Sequence, residues 1–414
     1  MDIHVFLKKI NIKFELIKLL ILVFFFNHSD CAILHDPLVE PSFPVIQNQG
    51  FISEINRTYF RFPNRAKNTI NSRVWFLSRN SAGLAIYFRT NSNFIKISYQ
   101  CLINFSKFNI PATGVSGIDL LSRTQSNDWV SVKSTYLFEP SIQKVTYTYN
   151  ETRKSDNDKG FEYRLYLPLY NTVDQLKIHT NDDSFFSWIE KDYSIPIVIY
   201  GTSIVQGCCI SRPIHSWPNL VQRHFNIPIL NFGFSNSARL EEEVVKLVIE
   251  NEAKLYILDC LPNCYEFDVD TIKNLIFNAI KLIRNKWPLT PILLTEFCGL
   301  NYQDIDDESN RQVLNANLAQ FEIYEKLIKE GEKRLFYLSK DEIGFNSNCW
   351  SDFIHPNNIG MQKYANAYIK KFYQIFCLSG SKMLSISIDF NTDIDFFESL
   401  PFLYILIMLL FKFI

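Results

Sequence analysis

Residues 195–207 read IPIVIYGTSIVQG, an apolar run that stops on Gly-Thr-Ser and carries a second glycine four residues after the serine. Strands end in Gly and Ser wherever a turn is needed. The same residues also describe a serine held at the carboxyl end of a core strand, where its hydroxyl can react. The rest of the chain decides between these readings. From Ser194 onward, apolar runs alternate with amphipathic stretches. Strands are expected at IPIVIYG, IPILNFG, KLYILDC, TPILLTE and RLFYLSK, and helices over 239–250, 269–286, 311–333 and 358–376. That alternation implies a parallel sheet covered on both faces, a flavodoxin-like three-layer α/β fold. Right-handed crossovers then bring every strand's carboxyl end to one edge, where ligands bind in open sheets.

Four separate segments deliver polar or permissive residues to that edge. Ser203 follows the first strand, Gly233 in NFGFSNS the second, and Asn263 in LDCLPNC the third. Asp352 and His355, in WSDFIHPNNIG, follow the fifth and precede the last helix. A serine hydroxyl needs a base to become nucleophilic, and a neutral imidazole suits that work near neutral pH. Asp352 is close enough in sequence to fold onto the other imidazole nitrogen, fixing its tautomer and stabilising the imidazolium. Pro356 disfavours a helical His355, so the helix is expected to begin after it. The Ser203 N–H, the Gly233 N–H and the Asn263 carboxamide are the expected oxyanion donors. Taken singly, each residue has an ordinary structural use; the set, in the order Ser, Gly, Asn, Asp-x-x-His, points to acyl chemistry. The G-x-S-x-G elbow is absent because Gly207 is four residues beyond Ser203, which disfavours an ordinary α/β-hydrolase.

Residues 39–189 have another rhythm. RVWFLSRNSAGLAIYFRT, FIKISYQCLINF, KVTYTYN and EYRLYLPLYNTV are short alternating segments of β-branched and aromatic residues broken by Asn, Ser, Asp and Gly. With no long helical period, this half reads as an antiparallel β-sandwich.

These motifs together resemble the SGNH (GDSL-like) hydrolases. Ser203, Gly233, Asn263 and His355 would supply the four blocks, with Asp352 completing the triad. GTSIVQG, RPIHSWPNLVQR, NFGFSNSARLEEE and DCLPN resemble the subgroup with threonine in place of the GDS aspartate. VWFLSRNSAGLAIYFRT, PATGVSGIDLL and LYLPLYN look like the β-rich domain that precedes it, with Gly117, Asp119 and Leu120 matching its G-x-D-L-[YF] motif and Leu121 replacing the aromatic. Asn236 stands where the subgroup has glycine after FS, and Ile214 replaces the glycine of RPG. The resemblance spans about 53–377. It implies ester hydrolysis through an acyl-enzyme on Ser203, a shallow open site, a small ester, acylated carbohydrate or lipid as substrate, and no metal or organic cofactor. Asp119 has two readings, facing the site or capping a turn, of which the turn is expected. A catalytically inactive glycan-binding module is the alternative, as is a lipid-directed lysophospholipase or thioesterase.

The two ends carry other signals. Lys8, Lys9, Lys13 and Lys18 precede an apolar run over 19–26 and the polar NHSDCA, the order of a secretory signal peptide, with cleavage expected near Cys31 or Ala32. LPFLYILIMLLFKFI, from Leu400, is short for a membrane-spanning helix and resembles a GPI-attachment tail without an ideal ω triplet. Membrane attachment is expected, with its type open. The expected organisation is a signal peptide (1–32), the sandwich (33–190), the hydrolase domain (191–378) and a tail (379–414), secreted or surface-attached. Sequons at Asn56, Asn104 and Asn150 accord with secretion. Of nine cysteines, eight remain beyond Cys31, an even set that can pair, with adjacent Cys208 and Cys209 expected to seek different partners. No metal site is expected, since no nearby histidine completes a ligand set. A net charge of −1 gives no electrostatic reason for nucleic acid as a partner.

Overall fold

In the strand Ile197–Gly201 every residue is buried. A run of Ile, Val, Ile and Tyr with no polar alternation suits a strand covered on both faces. A computed structural model describes residues 32–103, 106–137, 144–150 and 160–378 of the chain. Ile197–Gly201 pairs in parallel with Ile229–Gly233 on one side and Leu255–Asp259 on the other, and Ile292–Thr295 and Leu335–Leu338 continue the sheet. In chain order within the parallel sheet the strands lie 2-1-3-4-5, the flavodoxin-like arrangement, with its switch point between the first and third. Gly201 stands opposite both Gly233 and Asp259, so three strands end level at that point.

The helices between them cover the sheet. Val269–Lys286 has the expected bounds and buries Ile272, Ile276, Ala279, Ile280 and Ile283, one face of a helix capped by Asp268. Glu242–Val248, Asp307–Lys329 and Asn358–Leu378 form where helices are expected. Trp217–Phe225, within a segment read only as a motif, adds another. Among the described residues no helix is long and apolar enough to cross a membrane.

Two antiparallel sheets make the other half. One is ordered Ala32–His35, Val173–Asn181, Phe94–Cys101, Lys144–Asn150, Ser134–Leu137; the other Phe186–Trp188, Ala85–Thr90, Phe161–Tyr166, Asp119–Arg123, Trp129–Ser131. Alternate residues of Phe94–Cys101 point inward, so Ile95, Ile97 and Tyr99 meet Ile86, Phe88 and Leu165 in one core. The reading of residues 73–90 as strand holds only from Ala85. Ser72–Ser78 is a helix capped by Asn71, with Val74 and Leu77 buried. Seven residues are too few to display a helical period. Residues 62–77 do not join the sandwich core: Phe62, Ala66, Ile70, Val74 and Leu77 pack with Phe232, Phe234 and Leu240 beside the parallel sheet. The sandwich and that sheet lie in one compact unit ending at Lys371, and a second begins at Phe372.

The segment expected to be a signal peptide, up to Cys31, lies outside the described residues, as do Asn104 and the tail from residue 379. Asn56 is half-buried at the end of the short helix Ile52–Ile55, and Asn150 ends the strand Lys144–Asn150. One cysteine expectation is corrected: Cys208 and Cys209 pair with each other, while Cys101, Cys260, Cys264, Cys298, Cys349 and Cys377 have no disulfide partner among the described residues.

Candidate active site

Thr202 starts the turn that carries the serine. Its N–H donates to Asp259 O at 3.2 Å, anchoring the chain to the neighbouring strand end. Its Oγ1 accepts the Ile204 N–H at 3.3 Å, capping the single helical turn Ser203–Gln206. That turn closes on Gly207, whose φ is 103° and whose N–H donates to Ser203 O at 3.0 Å. A Cβ at Gly207 would lie 2.8 Å from Leu169 Cδ1. The second glycine of the opening stretch is therefore required by a left-handed closure in a crowded place.

Ser203, 6% exposed, meets His355: Oγ and Nε2 are 2.9 Å apart. The other nitrogen, Nδ1, is 2.9 Å from Asp352 Oδ2 and 3.1 Å from Oδ1. Asp352 Oδ1 also accepts the Ile354 and His355 N–H groups at 2.9 and 2.8 Å, so the Asp-x-x-His spacing is a loop folded onto its own carboxylate. The last helix starts at Asn358, beyond Pro356. Burial works to raise the Asp352 pKa, but the hydrogen bonds from His355, Asn109 and the Ile354 N–H outweigh it and hold the carboxyl well below the usual carboxylate range. Asn109, on the turn 107–110 of the β-rich half, donates Nδ2 to Asp352 Oδ2 at 2.7 Å. Its sequence neighbourhood carries no signal for that contact.

The oxyanion donors need one correction. The Gly233 N–H is taken by Asn231 Oδ1 at 2.9 Å and is not free to face a substrate. Gly233 is a glycine because the nucleophile turn packs onto it: a Cβ there would lie 2.7 Å from Gln206 Cα and 2.8 Å from Val205 C. Three residues on, Asn236 takes up the left-handed conformation, with φ 55°. The N–H groups of Ser203 and Asn236 have no acceptor among the described residues. Asn263 reaches the same loop. In the amide orientation that satisfies its surroundings, Oδ1 accepts the Ser237 and Ala238 N–H groups at 2.9 and 3.0 Å, and Nδ2 is turned away from them.

Other residues that build the site had no motif to reveal them. Gln206, fully buried, donates Nε2 to Asn80 Oδ1 and Leu169 O at 3.1 and 3.0 Å and accepts the Ser235 N–H at 3.0 Å. It ties the nucleophile turn to the Gly233–Ser235 loop. Arg61, 2% exposed, donates to Asn231 O and Gly233 O at 3.0 and 2.8 Å and to Asn80 O and Leu77 O at 3.0 and 2.6 Å. Burial pulls its pKa down to about 9. Asp119 caps a turn, as expected, but a distant one: Oδ2 accepts the Ile214 N–H at 3.1 Å and Oδ1 pairs with Arg212 at 3.3 Å. Burial raises its pKa to about 6 against the pull of Arg212.

Known proteins match both halves. The profile of the GDSL-like lipase/acylhydrolase family fits residues 194–373, and that of the N-terminus of SGNH hydrolase-type esterases, GxDLY, fits residues 35–186. Residues 194–373 form a GDSL-like lipase/acylhydrolase domain. Among solved structures, this GDSL-like hydrolase is similar to a protein described as a GDSL-like lipase, from Bacteroides ovatus ATCC 8483, with 25% identity, a TM-score of 0.75 and coverage of 84% of this chain and 98% of that one. It shares its fold with the salicylyl-acyltransferase SsfX3 from a tetracycline biosynthetic pathway, at 18% identity, a TM-score of 0.66 and coverage of 85% and 99%. No curated protein matches it in sequence.

One arrangement in this GDSL-like hydrolase departs from expectation. His215 is the histidine near Cys208 and Cys209 in sequence, yet it is His355 that the fold groups with them, and one ligand atom from each of these three lies within 4.8 Å of the others. Cys209 Sγ is also 3.7 Å from Asp352 Oδ2.

Proposed function

We propose that the protein is a serine esterase that forms an acyl-enzyme on Ser203. The observation that carries this reading is the chain of contacts from Ser203 Oγ through His355 to Asp352, 2.9 Å at each step. His355 Nε2 takes the hydroxyl proton as Oγ attacks the ester carbonyl. Asp352 stays ionised, holds Nδ1 as the protonated nitrogen and stabilises the imidazolium. The Ser203 N–H, the Asn236 N–H and Asn263 Nδ2 are the donors this reading assigns to the tetrahedral oxyanion. Collapse expels the alcohol, which takes the proton from His355. A water activated by the same nitrogen then releases the acid and restores Oγ–H.

An inactive glycan-binding scaffold would have no physical need of this hydrogen-bonded set, which favours the enzyme. The substrate class is a small ester, an acylated carbohydrate or a lipid. The amino-terminal segment and the sequons support a secreted or surface-attached protein, with the apolar tail as its attachment; peptide-N-glycosidase treatment and fractionation of cells making the full chain test this. For the chemistry, short p-nitrophenyl esters are offered to the full chain and to Ser203→Ala, with a fluorophosphonate probe in parallel. Turnover and labelling that both vanish in the folded variant support the esterase; a folded wild type that neither labels nor turns over overturns it.

A further inference from the structure

We propose that Cys208 and Cys209, once reduced, form with His355 a binding site for a thiophilic divalent cation of the zinc or cadmium class, and that an ion held there stops the hydrolase. The inhibitory part rests on the esterase reading; the binding part does not.

Adjacent residues ordinarily send their side chains apart. Here Cys209 has a left-handed backbone, with φ 67°, and the two sulfurs lie together on one side of the loop. His355 comes from a segment more than a hundred residues away, and its nitrogen lies within 4.8 Å of both sulfurs. A tetrahedral ion with bonds of about 2.3 Å to sulfur and about 2.0 Å to nitrogen holds its ligand atoms roughly 3.5–3.8 Å apart, so the three donors need only small rotations to close around one. Two thiolates and an imidazole suit soft and borderline ions and offer little to magnesium or calcium. The Asp352 carboxylate, 3.7 Å from Cys209 Sγ, adds negative charge beside the site. An ion has a way in: Cys209 lines a cavity of about 390 Å³ together with Pro111, Asn357 and the exposed Asn358 and Ile359.

Occupancy has a defined chemical consequence. Both imidazole nitrogens are engaged, Nε2 by Ser203 and Nδ1 by Asp352. An ion that takes Nε2 removes the base; one that takes Nδ1 displaces the carboxylate that orients the ring. The joined cysteines have no thiolate to offer, so the site exists only after a two-electron reduction. A water-soluble phosphine performs it, giving two thiols and the phosphine oxide, whose oxygen comes from water. Binding of the cation then releases both thiol protons to solvent.

The test uses the full chain, reduced with phosphine, freed of it, and titrated with cadmium. Binding is read by the sulfur-to-cadmium charge-transfer absorption and by calorimetry. Reduced wild type is expected to bind about one ion with thiolate absorption. Oxidised wild type, Cys208→Ser and Cys209→Ser are expected to lose it, and His355→Gln to bind about tenfold more weakly or worse. Ester turnover by the reduced protein falls in step with occupancy and returns on adding a chelator, each sample being compared with its own metal-free rate. Equal binding by the oxidised protein or the serine variants, or binding unmoved by His355→Gln, overturns the proposal. Oxidised wild type is the same chain, so it serves as the comparison even where a serine variant fails to fold. Binding as described in a protein that hydrolyses no ester upholds the site and sinks the esterase reading; turnover without thiolate binding does the reverse.

Discussion

Asn109 Nδ2 donates to Asp352 Oδ2 at 2.7 Å, so a loop of the β-rich half holds the carboxylate that faces the imidazole. Asn109→Ala removes a hydrogen bond to a charged group without touching Ser203 or His355. The expected result is a fall in kcat of about tenfold to a hundredfold with KM little changed. Asn109→Asp, which sets a second carboxylate against the first, is expected to cost more. Steady-state kinetics on short esters check both, and an Asn109→Ala enzyme with wild-type kcat contradicts the role.

The reassignment of Gly233 separates two effects. Gly233→Ala forces a Cβ against the Gln206 backbone, so it is expected to lower stability by about 2 kcal/mol or more through overpacking. Asn263→Ala removes a proposed oxyanion donor and is expected to lower kcat about 10²–10³-fold while the fold survives. Urea unfolding and kinetics on both variants distinguish a packing glycine from a catalytic donor.

Arg61 spans the two halves through four backbone carbonyls. Arg61→Met keeps the length of the side chain but leaves buried acceptors without a donor. Its expected cost is at least about 3 kcal/mol in urea unfolding, beyond what the lost charge alone would suggest.

Two aspartates give opposite pH dependences. Burial raises the Asp259 pKa from 3.8 to about 7, partly opposed by the Tyr368 hydroxyl, and Oδ1 has no partner among the described residues. Between about pH 4 and pH 7 the unfolded chain has released this proton and the folded one retains it. Stability therefore falls as pH rises through that window, by at most about 4 kcal/mol, and Asp259→Asn is expected to flatten the slope. Asp352, held below its ordinary range, contributes stability above the unfolded carboxylate pKa that is lost on acidification. Thermal melts at fixed ionic strength across pH 4–8 check the Asp259 contribution; a slope unchanged in Asp259→Asn contradicts it.

What the sequence made legible was what local pattern encodes. Uninterrupted apolar runs such as IVIYG gave the parallel strands, the amphipathic stretch 269–286 gave a helix with its observed ends, and Asp-x-x-His-Pro gave the loop geometry. The misses are contacts made at long range or by short elements. Asn109 and Arg61 reach across the two halves to Asp352 and Gly233, and nothing beside them in the chain marks that role. Ser72–Ser78 is a seven-residue helix whose Val, Trp and Phe mimic a strand. From sequence Gly233 reads as a donor, because glycine has no side chain to cover its N–H. Its neighbour Asn231 takes that hydrogen, and the left-handed Asn236 leaves the loop's free N–H three residues later. Cys208 and Cys209 pair because the loop turns back on itself at a left-handed residue, a feature sequence adjacency argues against.

Active-site titration with a fluorophosphonate, followed by mass analysis of the labelled peptide, tests the reading of Ser203 most directly. The expected result is a single adduct on Ser203 that forms in step with loss of ester turnover and slows by about 10⁴-fold or more in His355→Ala. An adduct on another residue, or labelling of Ser203 at the same rate without the imidazole, would contradict it.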